Sequence, residues 1–493
     1  MKPGLLPTLQ FSMAPGDAMS LLPVWVLTGA ALLALTVDLF SRRRGATWSA
    51  WVSLLGLGAT AGAIWQTRGF DRTVFGGMVR VDPFSQFFAA TIVGITIVSV
   101  LFSWDYVKRT ALLRGEYYAL MLFAALGMIF MAQANDLIMI FLGLELMSLS
   151  LYVLAGMRLG HFESTEAAMK YFLLGAFASG FLLYGIAFLY GATGSTNLEK
   201  MSGFLIESPL AGSPLVLIGM ALVIVGFAFK IAAVPFHMWT PDAYEGAPTS
   251  VTAFMAAGSK AAAFAALVRF SSMILAHVPI TSSSVLEVVA ILTLIVGNVV
   301  AIMQNNLKRM LAYSSIAHAG YALVGVIAGG ADGHAAVLFY MASYAAMTLG
   351  AFGTLTLLGR GLDERVDVRE LGGVGKRHPV LAALFTLFML GLAGIPPTAG
   401  FVGKLYLFRA GVETHHVRLV IVALLASVVS VYYYLRPVVV MYMQEPEGSP
   451  VEVSRSGAAG VALAIAASIT LVVGILPGGL ADSALRSVLS LLP

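Results

Sequence analysis

Apolar stretches of about 20 residues, the length a helix needs to cross a bilayer, recur along the chain. Fourteen are expected, centred near residues 30, 57, 93, 124, 146, 179, 225, 260, 293, 319, 347, 395, 429 and 467. Lipid offers backbone groups no hydrogen-bond partners, so a segment that crosses it must satisfy its own. The expected fold class is therefore all-α, a polytopic membrane protein of about 14 transmembrane helices. Composition agrees: of 493 residues, 59% are hydrophobic and only 11% charged, which excludes a soluble domain. No polar linker long enough to separate domains interrupts the pattern.

An even number of spans puts both termini on one side. Fifteen of the 29 Lys and Arg residues fall on the odd-numbered loops, chiefly Arg42 to Arg44, Lys108, Arg109, Arg114 and Arg360 through Arg377; nine fall on the other side and five within spans. Basic residues collect on cytoplasmic loops, so both termini are expected to face outward. The first apolar run is followed by Arg42 to Arg44 and preceded only by Lys2 before Pro3. That charge order is the reverse of a signal peptide's, so this span is expected to stay in the mature protein. The net charge of +4 is slight and scattered, which argues against a nucleic-acid partner. With no cysteine, the chain can offer neither a disulfide nor thiolate ligands to an iron–sulfur cluster.

Two features outside the spans carry no chemistry. Phe75 to Asp82, with Gly76-Gly77 as the turn, is expected to form a short hairpin. The loop from Gly359 to His378, with Asp363, Glu364, Arg365, Asp367, Arg369 and Glu370, reads as solvated or as a short interfacial helix.

Internal similarity is faint but placed consistently. Gly226-Phe227-Ala228-Phe229-Lys230 and Gly400-Phe401-Val402-Gly403-Lys404 share G-F-x-x-K, 174 residues apart. Ala167 to Phe172 matches Ala335 to Tyr340 more weakly, 168 apart. Both offsets correspond to five spans, an odd number, so the halves are expected to be inverted five-helix repeats. Expected units are 1–115 (helices 1–3), 116–275 (helices 4–8), 276–445 (helices 9–13) and 446–493 (helix 14). Pro235 follows Lys230, while Pro396 and Pro397 precede Lys404. Proline frees backbone groups that protein or water must satisfy, so both halves are expected to contain a broken helix beside a lysine.

Few ionisable residues lie well inside spans: Glu145, Lys170, Lys230, His237, Lys260, His318 and Lys404. A charge at a helix centre costs about 2.5–3.5 kcal/mol on insertion scales, so such residues are functional candidates. Glu145 has no route to either surface and needs a cationic partner, for which Lys230 is the obvious candidate. Moving a carboxylate toward or away from a buried lysine changes the lysine's hold on its proton. Lys260 and His318 would pass that proton on, histidine being suited to take it at one ring nitrogen and give it from the other, and Lys404 would deliver it. Lys170, near a span end, and His237, before Trp239-Thr240-Pro241-Asp242, are secondary candidates. His318 has serines on its own helix as alternative partners, and Tyr432 to Tyr434 and Trp239 read as interfacial anchors. Two membrane histidines can ligate a haem, but no facing pairs across four helices occur. Nor does the sequence carry a dinucleotide-binding glycine fingerprint, a metal-ligand cluster or a recognisable quinone site.

The stretch from Lys230 through Pro235-Phe236-His237-Met238-Trp239-Thr240-Pro241-Asp242-Ala243-Tyr244-Glu245-Gly246-Ala247-Pro248-Thr249, with Ser259-Lys260 after it, resembles the signature of the antiporter-like membrane subunits of proton-pumping NADH:quinone oxidoreductase, respiratory complex I. Ser314-Ser315-Ile316-Ala317-His318-Ala319-Gly320 and Gly394-Ile395-Pro396-Pro397 are similar to further motifs of that family. The resemblance implies proton transfer along a buried axis of Glu145, Lys230, Lys260, His318 and Lys404, driven by quinone reduction in a neighbouring part of the complex. It implies no cofactor in this chain; NADH, FMN, iron–sulfur clusters and quinone belong to partner subunits. The implied partners are the other membrane and hydrophilic subunits, lipid and protons, and the implied location is the bacterial inner membrane with both termini periplasmic. Of the family's three large paralogous branches, the longest is disfavoured by the length of 493 residues, and the middle one tends to carry glutamate where this chain has Lys404. The remaining branch is favoured, with a multisubunit cation/proton antiporter component as the alternative.

Overall fold

In the computed structural model, residues 16–40, 45–110, 112, 115–277, 281–359, 367–445 and 452–491 are described. Lys2, Pro3, Arg42 to Arg44, Arg114, Arg360, Asp363, Glu364 and Arg365, on which some expectations rest, lie outside them. The helices of six or more residues are α1 (Leu22–Phe40), α2 (Gly45–Gln66), α3 (Pro83–Arg109), α4 (Glu116–Gln133), α5 (Leu137–Ala155), α6 (Phe162–Thr193), α7 (Leu198–Glu207), α8 (Pro214–Ile231), α9 (Trp239–Gly246) and α10 (Thr249–Phe254). They continue with α11 (Lys260–Met273), α12 (Thr281–Ile302), α13 (Leu307–Ala328), α14 (Gly330–Leu355), α15 (Pro379–Ala393), α16 (Ala399–Glu413), α17 (Val417–Met443), α18 (Gly457–Ile475) and α19 (Gly478–Leu489).

Twelve helices among the described residues are long and apolar enough to cross a membrane, and each falls on an expected centre. The two remaining centres, 57 and 395, fall on α2 and on the α15–α16 pair. Glycines 56, 58 and 62 and tryptophans 48, 51 and 65 dilute the apolar character of α2. The α15–α16 pair consists of two helices of 15 residues each, both too short to be counted among the twelve.

The expected hairpin is present: β1 (Arg72–Val74) pairs antiparallel with β2 (Val79–Val81) around Phe75–Gly77. It fixes the topology, because both described ends pack against it. Gly16 lies against the Arg72 guanidinium, and Arg80 donates to the Ser490 carbonyl at 3.2 Å. Both ends thus share one face, as an even number of crossings requires. The described part of the polar loop on the other face, residues 367–378, is more packed than a solvated loop: Asp367 caps the turn Val368–Leu371, whose two end residues are fully buried.

The helix containing Lys260 lies at the centre. The stretch 249–271, rich in alanine, is buried at every residue. Elsewhere glycine brings backbones together: a Cβ at Gly127 on α4 would lie 2.5 Å from the Met147 nitrogen on α5, and one at Gly297 on α12 would lie 2.7 Å from the Ala317 nitrogen on α13. Such close approach is the usual basis of helix association in lipid, where burial of apolar surface gives little driving force.

Gly127 and Gly297, and Met147 and Ala317, are related by one offset, and other contacts recur at it. Asp136 caps α5 and bridges to Asn197, as Asn306 caps α13 and bridges to Asp367. Leu198 donates to the Asn135 carbonyl at 3.0 Å, as Val368 does to that of Asn305 at 2.9 Å. At this offset Glu145 corresponds to Ser315 and Ser148 to His318.

Candidate functional site

The site is built on two broken helices. α8 ends with Ala232 in the left-handed region (φ 62°), and α15 with Gly394 there (φ 82°). The next residue reaches back five positions in both, Ala233 to the Ala228 carbonyl (2.8 Å) and Ile395 to that of Leu390 (3.0 Å). One further bond closes each link, Phe236 to Ala233 (2.7 Å) and Thr398 to Ile395 (3.2 Å). The peptides Val234–Pro235 and Pro396–Pro397 are both cis. These are Schellman-type terminations, in which the left-handed turn satisfies carbonyls that the helix leaves open.

This register corrects the sequence alignment. Lys230 lies in the last turn before its break, whereas Lys404 lies after its break, on α16. Matched break to break, Lys230 corresponds to Leu392 and Lys404 to Asp242, so G-F-x-x-K does not mark equivalent positions. Lys404 Nζ reaches back to the carbonyls of Leu392 (3.3 Å) and Ala393 (2.9 Å), at the position where the first half has Lys230. The Lys404 ammonium thus sits at the carboxyl end of α15, where the unpaired carbonyls favour a cation, whereas the Lys230 side chain leaves the last turn of α8 for hydroxyls on α5 and α6. Gly394 leaves room for this: a Cβ there would lie 2.9 Å from Lys404 Cδ.

Lys230 is 2% exposed. Its amine donates to Ser148 Oγ (2.8 Å) and Tyr171 Oη (3.2 Å), and lies 5.2 Å from the Tyr171 ring centroid. Trp239 stacks on that ring at 4.3 Å and donates its Nε1 to the Phe229 carbonyl at 3.0 Å. Glu145 is half-buried and accepts from Ser179 Oγ. It makes no ion pair with Lys230 within 4.0 Å among the described residues; Ser179, Tyr152 and Lys230 all line one narrow cavity between α5, α6 and α8.

Lys260 follows a single π-helical turn, Met255–Ser259, and donates to the Ser315 carbonyl on α13. Tyr344 donates to Ser315 Oγ at 2.8 Å. His318 bonds Tyr340 Oη through Nδ1 (2.6 Å) and Tyr434 Oη through Nε2 (2.9 Å), rather than serines of its own helix. Lys404 also donates to Ser427 Oγ (2.9 Å) and lies 4.6 Å from the Tyr321 ring centroid. Lys260, His318 and Lys404 are 1%, 2% and 4% exposed. The structure therefore places Lys230, Lys260, His318 and Lys404 in buried polar surroundings on α8, α11, α13 and α16, with Glu145 at the α5–α6 flank.

The secondary candidates lie outside this row. Lys170 pairs with Glu166 (2.8 Å) and Asp242 (2.7 Å), and Arg309 joins Asp242 and Glu245 at 2.8 Å each, in a charged cluster at the face opposite the hairpin. His237 lies in the α8–α9 link, where Pro235 and Met238 are exposed. Pro396 and Pro397 are likewise exposed. The anchor reading of Trp239, Tyr433 and Tyr434 is overturned: each is 1% exposed, because its polar atom serves the interior. Tyr432 alone of that group is outward, 61% exposed.

Sequence reasoning passed over three buried groups. Lys308, in the first turn of α13, donates to the Ala247 carbonyl just before Pro248 (2.6 Å). Asp82 and Arg269, both 0% exposed, form a two-bonded ion pair at 2.9 Å. Lys308 and Arg269 stand at span ends, where snorkelling to the surface is the default expectation; Pro248, directly after Ala247, was the available signal for Lys308.

Known proteins match over nearly this whole chain. A family model described as NADH:quinone oxidoreductase/Mrp antiporter, TM, matches residues 134–430, which include all five residues of the main set. The NADH-quinone oxidoreductase subunit N of Trichlorobacter lovleyi is 45% identical over 471 residues, covering 95% of this chain and 96% of that protein. A chain of respiratory complex I from Thermus thermophilus is 35% identical, with a TM-score of 0.78 over 94% of this chain and 98% of that one. A chain of the Mrp complex from Dietzia sp. shares the fold, with a TM-score of 0.82 at 23% identity over 97% of each chain. The branch favoured by length and Lys404 is the one the relatives carry: the chain belongs to the NADH-quinone oxidoreductase subunit N family.

Proposed function

We propose that this chain, as a membrane subunit of NADH-quinone oxidoreductase, translocates protons along Glu145, Lys230, Lys260, His318 and Lys404, coupled to quinone reduction elsewhere in the complex. The observation that carries this reading is the row of four buried ionisable side chains, each held by hydroxyl or carbonyl groups rather than by a counter-ion. An ammonium held by neutral groups can give up its proton without breaking a buried ion pair. Hydroxyls both donate and accept, so Tyr171, Ser148, Tyr340, Tyr344 and Tyr434 can carry a proton between cations. His318, bonded at both nitrogens, takes a proton on one side and releases it on the other by exchange of tautomer. Glu145 is the moving charge: held by Ser179 it leaves Lys230 alone, and swung across the cavity it would favour the protonated lysine.

The finer parts of this reading rest on the sequence. The fourteen crossings form two inverted five-helix repeats, 116–275 and 276–445, flanked by 1–115 and 446–493. The membrane is the bacterial inner membrane, with both termini periplasmic. Electron transfer, with NADH, FMN, iron–sulfur clusters and quinone, belongs to partner subunits, since a chain with no cysteine has no thiolate to offer a cluster.

Glu145→Gln tests the moving charge. Quinone-dependent NADH oxidation by membranes carrying the substituted complex should fall about tenfold, a modest share of what a proton-transferring group contributes. NADH oxidation by a soluble electron acceptor at the redox subunits should stay unchanged. Undiminished quinone-dependent turnover would overturn the role of Glu145.

A further inference from the structure

His334 stands in the first turns of α14, on the hairpin side of the bundle, and takes part in none of the contacts described above. It is 2% exposed, and neither Nδ1 nor Nε2 has a hydrogen-bond partner among the described residues. A neutral imidazole carries one donor and one acceptor, and burying both unmet is costly, so such groups in folded proteins are met by water. Among the described residues, both ring nitrogens are thus left without a protein partner to hold a proton.

Its position gives that ring a use. Tyr340, which bonds His318, is six residues further along α14, a rise of about 9 Å. From Lys404 the next turn of α16 brings Leu407, which packs with Val337 around Gly325, and Val337 is one turn from His334. His334 therefore lies beyond both Lys404 and His318 in the direction of the hairpin face. At that face Asp332, two residues before it, is exposed, and Arg409 and Glu413 of α16 pair at 2.7 Å. Glu287 of α12 and His416, before α17, stand 3.5 Å apart at the same face.

We propose that His334 is the last proton-carrying side chain of the second half, passing protons from the Lys404 region to the face bearing Asp332 and Glu413. The proton is accepted at one ring nitrogen and another is released from the other nitrogen to water, so charge and protons balance over each transfer. This assignment rests on the proton-translocating function proposed above.

The test uses the assembled complex in proteoliposomes. His334→Leu, which fills the space but carries no proton, should lower proton pumping about tenfold. His334→Gln, which keeps hydrogen bonding without a titrating group, should do the same and serves if leucine blocks assembly. His334→Ala should be low and rise when imidazole is added, a rescue that a purely structural role would not give. Wild-type pumping in the assembled Leu or Gln variant, or an assembled Ala variant that imidazole does not raise, would overturn the assignment. Failure of this proposal alone leaves Glu145→Gln slow; failure of the function itself leaves both Glu145→Gln and His334→Leu pumping normally.

Discussion

Lys230→Ala is expected to lower quinone-dependent NADH oxidation about tenfold or more, with the complex still assembled. The ammonium is the only cation at the end of α8 among the described residues, and Ser148 and Tyr171 converge on it. Alanine leaves those hydroxyls able to bond other groups or water, so the loss is one of proton transfer rather than of folding. Lys230→Arg separates the two roles a cation can have. A guanidinium keeps the charge but does not release a proton at physiological pH. If Lys230 carries protons, arginine should fail nearly as badly as alanine; activity near wild type with arginine would make Lys230 a fixed counter-charge. Membrane assays of both variants, with the amount of assembled complex measured alongside, decide the point.

Arg269→Ala should act on stability instead. Removing one partner of a fully buried ion pair leaves the other charge unpaired, at a cost of about 3–5 kcal/mol. Here the pair is bidentate, Arg269 also donates to the Ala132 carbonyl at 3.1 Å, and its guanidinium lies 4.9 Å from the Phe84 ring centroid. Asp82 in turn caps α3 through the Ser85 nitrogen at 2.8 Å. The pair therefore ties the hairpin end of α3 to α11, the helix that carries Lys260. Little of the substituted chain should reach the assembled complex, as read by its amount in membranes and by a lowered midpoint of thermal disassembly. Replacing both Asp82 and Arg269 by apolar residues of similar volume should recover much of the loss, because neither charge is then stranded.

The sequence and the structure agree where the physics is local. Spans follow from apolar length, the hairpin from Gly76-Gly77, and the breaks from Pro235, Pro396 and Pro397, because each depends on neighbouring residues. The buried lysines were legible for the same reason: a charge within an apolar run has no cheap alternative to a functional site. What could not be read is the register between halves. Lys404 brings its amine to the Leu392 carbonyl by reaching back across its own break, and a five-residue match cannot reveal a side chain's reach. The partners of Glu145 and His318 were equally hidden, since Ser179, Tyr340 and Tyr434 come from other helices. Trp239, Tyr433 and Tyr434 were misjudged because aromatic residues with a polar atom suit two settings, the membrane interface and a buried polar axis. Only packing distinguishes them.

The number of protons moved per NADH oxidised, measured in proteoliposomes with the complex carrying Lys404→Ala, tests the central claim most directly. A chain that moves protons through Lys404 predicts fewer protons per NADH than wild type, or turnover stalled in proportion to the pumping lost. An assembled Lys404→Ala complex with wild-type turnover and an unchanged proton count would contradict it.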